Sequence, residues 1–312
     1  MRLKNWCLTL LLVWGNLFSQ ANTEAISLET NTGKIEGTLL CPVDAKAVPV
    51  VLIIAGSGPT DRNGNNPMMT NNSLKMLAEG LFENNIASVR YDKRGVGLSN
   101  NAGLQESDLR FENYVDDAKG WVDLLAKDAR FSEIIVLGHS EGSLIGMIAS
   151  QNKEVKKYIS LAGVGVPAGE LLKEQLKAQP AFVLDQALPI IEKLERGDTE
   201  ENIPPMLYSL FRTSVQPYLI SWFKYNPQKE IEKLSIPVLI LQGTTDIQVS
   251  VSDAEKLANA NKKAERQLIE GMNHILKKAG SDRQKNIQTY NMPDLPLKKE
   301  LIDILIKFIV EK

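Results

Sequence analysis

The sequence predicts an α/β protein built on a mostly parallel, doubly wound sheet with a helical insertion in its second half. Short apolar segments alternate with amphipathic segments of helical periodicity, a pattern typical of βαβ units. The apolar run VPVVLIIAG, residues 48–56, is continuous, as expected for a strand that is buried on both faces of a parallel sheet. The alternation stops at Pro167 and resumes at residue 236, and the residues between have helical character.

The elements follow from N- to C-terminus. EAISLET and GKIEGTLLCP predict an antiparallel pair around the turn NTG. After the buried strand 48–56 come the helix SLKMLAEGLFENN with Ser73 as its N-cap, the strand IASVRYD, a helix at about 111–127, the strand EIIVLG, the helix SLIGMIASQN and the strand VKKYISLAG. The insertion is followed by the strand IPVLILQG, the helix DAEKLANAN, the strand AERQLIEG and a closing helix at about 298–311. Ligands of such sheets bind at the carboxyl ends of the strands, so the insertion is expected to cover the site.

The N-terminal residues predict export. Arg2 and Lys4 precede an uncharged, mostly apolar run that ends at Phe18 and is followed by small and polar residues. This pattern indicates a secretory signal peptide over residues 1–21, cleaved near Ala21, and a periplasmic or secreted protein without stable membrane insertion. An uncleaved membrane anchor is the alternative, although the run is short for a bilayer span.

The predicted mature chain divides into a core of residues 22–166 and 236–312 and a helical lid of residues 167–235. Cys7 lies within the apolar run, which leaves Cys41 as the one cysteine of the mature chain and excludes an internal disulfide or a cysteine-based metal site.

Charge and composition favour a small-molecule substrate. The 36 basic and 38 acidic residues give a net charge of −2, which provides no basic surface for nucleic acid. The segment DRNGNN is similar to a calcium loop but lacks its glycine at position six and its closing glutamate, so we predict no metal. The predicted chemistry needs no cofactor, and the sequence does not predict an oligomeric state.

The segment GHSEG places Ser140 between Gly138 and Gly142, with a buried strand before it and a helix after it. G-x-S-x-G in this context predicts a strained strand-to-helix turn that exposes the serine hydroxyl at the edge of the sheet. The turn also directs the amide of Glu141 towards a developing oxyanion at the N-terminus of a helix. A merely structural turn is the alternative.

A serine nucleophile needs a general base, for which the chain offers two histidines. His139 adjoins Ser140 at the end of a strand, where the two side chains point apart, so His274 in IEGMNH is the predicted base. A surface histidine is the alternative for His274. Asp246 in the strand-end loop LQGTTDIQV is the predicted acid, whereas the nearby Asp253 and Glu255 fall in the following helix.

The loop AGSGPTDRNGNN follows the first buried strand and is expected to supply a second oxyanion donor. The backbone N–H of Ser57 is the first choice and that of Gly58 the second, although these glycines also suit a tight turn. In YDKRGVGLS, Asp92 and Arg94 are predicted to form a buried ion pair with each other rather than to contact substrate.

The segments AGSGPTDRNGNN, VRYDKRGVGLS, GHSEGS, YNPQKEIEKLSIPVLILQGTTDIQV and GMNH resemble the α/β hydrolases. They are most similar to bacterial members with a serine-aminopeptidase-type lid, which are described as esterases or acyl hydrolases. The order Ser140, Asp246, His274 is that of the family, and the resemblance implies the roles of nucleophile, acid and base for these residues. AGSGP lacks the histidine of the common HG motif, so the resemblance locates the oxyanion hole but not its donors.

The expected function is therefore hydrolysis of short to medium acyl esters through an acyl-enzyme on Ser140. Aromatic residues of the insertion could line an acyl pocket, and one or two of them are expected to reach the substrate: Tyr208, Phe211, Tyr218, Trp222 and Phe223. A peptidase is the alternative, with the free amine held by acids of the lid: Asp185, Glu192 and Glu195. A thioesterase for coenzyme A esters fits export poorly, and a non-catalytic binding protein would be expected to lack one triad residue.

Overall fold

The computed structural model describes residues 21–43 and 45–311, so the predicted signal peptide lies almost wholly outside the described residues. Eight strands form one sheet in the order β1-β2-β4-β3-β5-β6-β7-β8. The strands are β1 Ala21–Thr30, β2 Gly33–Pro42, β3 Val48–Ile54, β4 Ala87–Tyr91, β5 Phe131–His139, β6 Val155–Leu161, β7 Val238–Gly243 and β8 Glu265–Ile269.

Strand directions confirm the predicted sheet. β1 and β2 form an antiparallel hairpin, and β2 is also antiparallel to β4. The remaining neighbours, from β4 through β3, β5, β6 and β7 to β8, pair in parallel. The parallel strands therefore end at one edge of the sheet, where the predicted catalytic segments follow β3, β5, β7 and β8.

Eleven α-helices occupy the described part of the chain. They are α1 Ser73–Phe82, α2 Phe111–Leu125, α3 Glu141–Ala149, α4 Ala168–Leu176, α5 Ala181–Glu195, α6 Tyr208–Phe211, α7 Gln216–Phe223, α8 Pro227–Glu232, α9 Val251–Ala260, α10 Arg283–Gln288 and α11 Lys299–Val310. The N-cap of α1 is Asn72 rather than Ser73, and Asn72 adopts the left-handed conformation, which asparagine tolerates better than most residues. None of these helices is both long and apolar enough to span a bilayer.

Alternating strand residues divide the core between the two faces of the sheet. In β3, Leu52 packs on the face covered by α2 and α3, whereas its neighbours Val51 and Ile53 pack on the face covered by α1 and α11. Both sets are fully buried. Burial on both faces explains the unbroken apolar run that predicts this strand.

The segment between β6 and β7 contains the helices α4 to α8, and none of the described strands lies within residues 167–235. These helices pack on the face of the sheet that carries α2 and α3, where Phe111 of α2 stacks on Trp222 of α7 with ring centroids 6.1 Å apart. The boundaries of a separate lid remain a prediction.

Candidate active site

Ser140 occupies a strained turn between β5 and α3. Its φ of 57° and ψ of −122° lie outside the regions that non-glycine residues usually adopt. A Cβ at Gly138 would lie 2.1 Å from the Gly142 carbonyl oxygen, and a Cβ at Gly142 would lie 2.4 Å from the Ile54 carbonyl oxygen. Both glycines are therefore required for the strand and the helix to approach this closely.

His274 and Asp246 form a hydrogen-bonded pair beside this turn. The Nδ1 atom of His274 lies 2.8 Å from Oδ2 of Asp246, whose side chain is fully buried. The Asp246 carboxylate also accepts hydrogen bonds from the backbone N–H groups of Gln248 and Val249 and from the Gln242 side chain.

Burial raises the pKa of Asp246, but the positive charge of His274 and these hydrogen bonds outweigh it and lower the pKa below its ordinary value. An ionised Asp246 keeps a proton on Nδ1 of His274 and leaves Nε2 available for proton transfer.

Ser140 and His274 line one cavity of about 160 Å³. The loop after β3 also lines this cavity, through Gly56 and Ser57, and so does Gln248. The structure thus brings the three predicted triad residues to one place, although they come from separate strand ends.

The loop after β3 reaches the nucleophile, as a donor to an oxyanion must. A Cβ at Gly56 would lie only 3.1 Å from the Ser140 Cβ. Among the described residues, no acceptor takes the backbone N–H of Ser57, Gly58 or Glu141. These predicted donors are free to bind a substrate oxygen.

His139 lies in the same cavity, which the sequence does not predict. It is buried, and its Nε2 donates to the His274 backbone oxygen at 2.8 Å. Burial, with a smaller contribution from the nearby His274, lowers the pKa of His139 to about 4. His139 is therefore neutral at pH 7 and fixes the backbone of the predicted base.

Other predicted residues lie away from the cavity. Asp253 forms a capping box with Ser250, the N-cap of α9, and accepts from the Gly165 amide at 3.0 Å, whereas Glu255 pairs with Arg266 at the surface. None of the predicted pocket aromatics lines the cavity in the described part of the chain: Tyr208 is 59% exposed, and Phe211 and Trp222 are buried in the packing of the insertion. Tyr218 is also buried, and Phe223 is partly buried against the same core.

The prediction that Asp92 and Arg94 form an ion pair with each other is wrong. Asp92 pairs with Arg62 at 2.8 Å, and its carboxylate also accepts from the Arg62 and Leu98 amides. Arg94 instead donates through Nε to Asp117 at 3.1 Å. Both residues lie in the turn that follows β4, where strand geometry no longer sets side-chain direction, and each meets a partner that is remote in sequence.

Hydrogen bonds within the segment DRNGNN and to the residues after it fix its conformation. Oδ1 of Asp61 accepts from the amides of Asn63 and Asn65, and Oδ1 of Asn65 accepts from the amides of Asn71 and Asn72. Arg62 anchors the segment to Asp92, so its side chains shape the loop that follows β3. In the described ranges no cluster of three His, Cys, Asp or Glu residues could hold a metal ion.

A buried polar cluster lies behind the cavity, and the sequence does not predict it. The Lys93 ammonium donates to the Gly56 oxygen at 2.6 Å, and the Tyr218 hydroxyl donates to the Glu141 carboxylate. Lys93 and Glu141 are both almost fully buried. Lysine and glutamate beside glycine-rich turns are usually solvated, so residue type alone provides no signal for this cluster.

Comparison with known proteins gives a family match over part of the chain and a curated relative of low identity. The family model described as "Serine aminopeptidase, S33" matches residues 70–193, a segment that includes Ser140 but ends before Asp246 and His274. Esterase EstD of Thermotoga maritima is 26% identical over 250 residues, which cover 78% of this chain and 58% of the relative. The chain thus spans less than two thirds of that relative.

Solved structures share the whole architecture at low identity. Est1E from Butyrivibrio proteoclasticus with bound ferulic acid is 19% identical, with a TM-score of 0.63, and the match covers 92% of this chain and all of the other. The Pyrococcus furiosus esterase Pf2001 is 15% identical, with a TM-score of 0.58 and coverage of 93% and 92%. These likenesses confirm the predicted fold class.

Proposed function

We propose that this chain is a serine esterase of the α/β-hydrolase type that cleaves short to medium acyl esters through an acyl-enzyme. The observation that carries the proposal is the cavity itself. It places Ser140, in its strained turn, beside a histidine whose Nδ1 is bound to a buried aspartate. The free amides of Ser57 and Glu141 supply the electrostatic stabilisation that acyl transfer requires.

The proposed reaction follows from this arrangement. Ser140 Oγ attacks the ester carbonyl while His274 Nε2 takes its proton, and the carbonyl oxygen becomes an oxyanion bound by the backbone amides. The tetrahedral intermediate collapses, and His274 returns the proton to the departing alcohol. Water then attacks the acyl-enzyme with the same base, releasing the acid and restoring the Ser140 hydroxyl.

Two features support an ester of modest size. The cavity of about 160 Å³ accommodates a short acyl group. The similar proteins from Thermotoga and Pyrococcus are named as esterases, and Est1E from Butyrivibrio has the small molecule ferulic acid bound.

A peptidase is the second candidate, favoured by the description of the matching family model. The acids predicted to hold a substrate amine do not support it. In the described part of the chain, none of Asp185, Glu192 and Glu195 lines the cavity, and Glu195 pairs with Lys173 at 2.9 Å. Turnover of aminoacyl p-nitroanilides at rates comparable to those of p-nitrophenyl esters would favour the peptidase.

The first test compares the parent protein with Ser140→Ala on p-nitrophenyl acetate, butyrate and octanoate. We expect the variant to lose at least about 10³-fold in kcat, because the nucleophile is removed. Ser143→Ala is the matched control: that hydroxyl lies in α3, which follows Ser140, and is bound to Tyr158 and Ser160 at 2.8 Å, so its loss is expected to leave turnover in place.

A fluorophosphonate probe provides a second readout that does not depend on the choice of substrate. We expect it to label the parent and Ser143→Ala but not Ser140→Ala. Equal labelling of all three proteins would reject Ser140 as the nucleophile, whereas no labelling of any of them would favour a binding protein on this scaffold.

Export is also part of the proposal and rests on the pattern of residues 1–21 alone. Fractionation of cells that express the full chain tests it, since an exported protein is recovered outside the cytoplasm in a shortened form.

A further inference from the structure

A buried lysine lies directly behind the candidate oxyanion hole. Lys93 follows β4, is 1% exposed, and donates from Nζ to the Gly56 carbonyl oxygen at 2.6 Å. The ammonium also lies 5.0 Å from the centroid of the Tyr114 ring. Burial lowers the pKa of Lys93, and the nearby Glu141 carboxylate opposes this effect.

Glu141 supplies the compensating negative charge. Its side chain is 2% exposed, and Oε2 lies 4.0 Å from Lys93 Nζ. Oε1 accepts a hydrogen bond from the Tyr218 hydroxyl of α7, whereas Oε2 has no hydrogen-bond partner among the described residues. Lys93 is thus the cation that faces the unbonded carboxylate oxygen.

The position of this pair links it to the two arms of the oxyanion hole. The Gly56 carbonyl and the Ser57 N–H belong to one planar peptide group and point in opposite directions. A cation bound to the Gly56 oxygen therefore fixes the orientation of the Ser57 N–H and strengthens it as a donor. The other member of the pair, Glu141, carries the second predicted donor on its own backbone.

Stability alone does not explain the pair. A buried ion pair is often no more stabilising than apolar side chains of similar volume, because both charges lose their hydration. The neighbouring Arg94–Asp117 pair differs in kind: Arg94 reaches Asp117, Thr32 and the Ala102 oxygen, none of which lines the cavity.

We propose that Lys93 and Glu141 are positioning residues of the oxyanion hole: Lys93 orients the Gly56–Ser57 peptide, and the Glu141 carboxylate, held by Tyr218, keeps the lysine in place. The inference rests on the proposed esterase function. It also ties the nucleophile turn to the helical insertion, because Tyr218 belongs to α7.

The test removes the cation while keeping the length of the side chain. Lys93→Met is expected to lower kcat for p-nitrophenyl butyrate by at least about tenfold with KM changed less than about twofold, because an oxyanion donor acts mainly in the transition state. The affinity for an alkyl boronic acid, which forms a tetrahedral adduct on serine, is expected to fall in parallel with kcat/KM.

Two further variants test whether Glu141 acts through Lys93. Glu141→Gln keeps an acceptor for Tyr218 and removes the charge, and a smaller loss of kcat is expected. The double variant Lys93→Met/Glu141→Gln is expected to be no worse than Lys93→Met, because Glu141 acts through the lysine. If Lys93→Met does not fold, Glu141→Gln and Tyr218→Phe carry the same test.

Arg94→Lys is the control for perturbing a neighbouring buried ion pair, with an expected loss of thermal stability but kcat and boronate affinity within about twofold of the parent. The inference is overturned if the folded Lys93 and Glu141 variants retain the parent kcat and boronate affinity, or lose no more than this control. Failure of the proposed function would look different: the parent protein itself would not react with ester or fluorophosphonate.

Discussion

His139 and His274 lie in one cavity but in different chemical states. Nδ1 of His274 is hydrogen-bonded to the Asp246 carboxylate, which suits this histidine to transfer a proton. His139 instead donates to a backbone oxygen and has no carboxylate partner among the described residues. Their ring centroids are 4.9 Å apart, so a second positive charge on His139 would oppose the charge that His274 gains during catalysis. A neutral His139 is therefore the state that suits the proposed mechanism.

The lowered pKa of His139 predicts a loss of stability in acid. The folded-state pKa of about 4 lies below the unfolded value of about 6.5. Stability from neutral His139 is fully present above pH 6.5 and is lost as pH falls towards 4, because the unfolded chain binds the proton first. We expect His139 to contribute a loss of up to about 3 kcal/mol over that interval.

Urea unfolding of the parent and of His139→Gln at pH 7, 6 and 5 measures this contribution. The glutamine amide can still donate to the His274 oxygen, so the comparison isolates the titrating group. We expect a flatter pH dependence in the variant. Equal slopes in the two proteins would show that His139 is not the group responsible.

At the scale of elements, the nucleophile turn depends on how closely α3 follows β5. Gly142, in the first turn of α3, lies against the end of β3, where a Cβ would meet the carbonyl oxygens of Ile54 and of Ala55, which follows the strand, at 2.4 and 2.6 Å. Backbone atoms cannot rotate away as a side chain would. The neighbouring β3 therefore limits the residue type at this position to glycine.

We expect Gly142→Ala to destabilise the protein by about 3 kcal/mol or more and to displace Ser140, with activity falling further than stability alone explains. Gly280→Ala is the matched control, since a Cβ there would meet nothing within 4 Å. Thermal unfolding and turnover of p-nitrophenyl butyrate check both variants. A folded and fully active Gly142→Ala would contradict the geometry of the turn.

The elements that were predictable are those whose pattern is local. The continuous apolar runs identify the strands, and the Gly-x-Ser-x-Gly spacing places Ser140 at the end of β5. Long-range partners were not predictable: nothing in the sequence pairs Asp92 with Arg62 or directs Lys93 inward to Gly56. These contacts depend on how separate loops converge at the sheet edge.

The sequence also does not predict which side of each insertion helix faces the core. Helical spacing groups Tyr208, Phe211 and Trp222 as lining candidates, but which side faces the core is decided by packing against other elements. Phe211 and Trp222 turn inward and Tyr208 outward. The sequence therefore predicts that the segment is helical but not which residues reach a substrate.

At the scale of the whole molecule, a second and larger cavity adjoins the candidate active site. It measures about 860 Å³ and lies between the insertion helices α4 and α5 and the loop that carries Asp246. Gln248 lines both this groove and the small cavity, and its backbone oxygen accepts from Gln175 of α4 at 3.3 Å. Ser140 and His274 line the smaller cavity, so the groove is placed to receive the part of a bound ester that extends past Gln248.

The lining of the groove predicts a dependence on acyl length. Leu171, Leu184 and Leu188 provide apolar surface there, and Leu188 is partly exposed. An acetyl group is small enough to stay in the cavity beside Ser140, whereas an octanoyl chain would extend along these leucines. We therefore expect Leu188→Asp to lower kcat/KM for p-nitrophenyl octanoate by roughly tenfold, the value of one or two buried methylene groups, and to leave the acetate unchanged.

Leu210→Asp provides the comparison, because Leu210 is an exposed leucine of the same insertion that lines neither cavity. The ratio of kcat/KM for octanoate to that for acetate is the measurement, since it cancels any general loss of active enzyme. A ratio that falls in Leu188→Asp and not in Leu210→Asp assigns the groove to the acyl chain. If both variants retain the parent ratio, a long acyl chain leaves the cavity by another route, and the groove is free to bind the alcohol side of the ester.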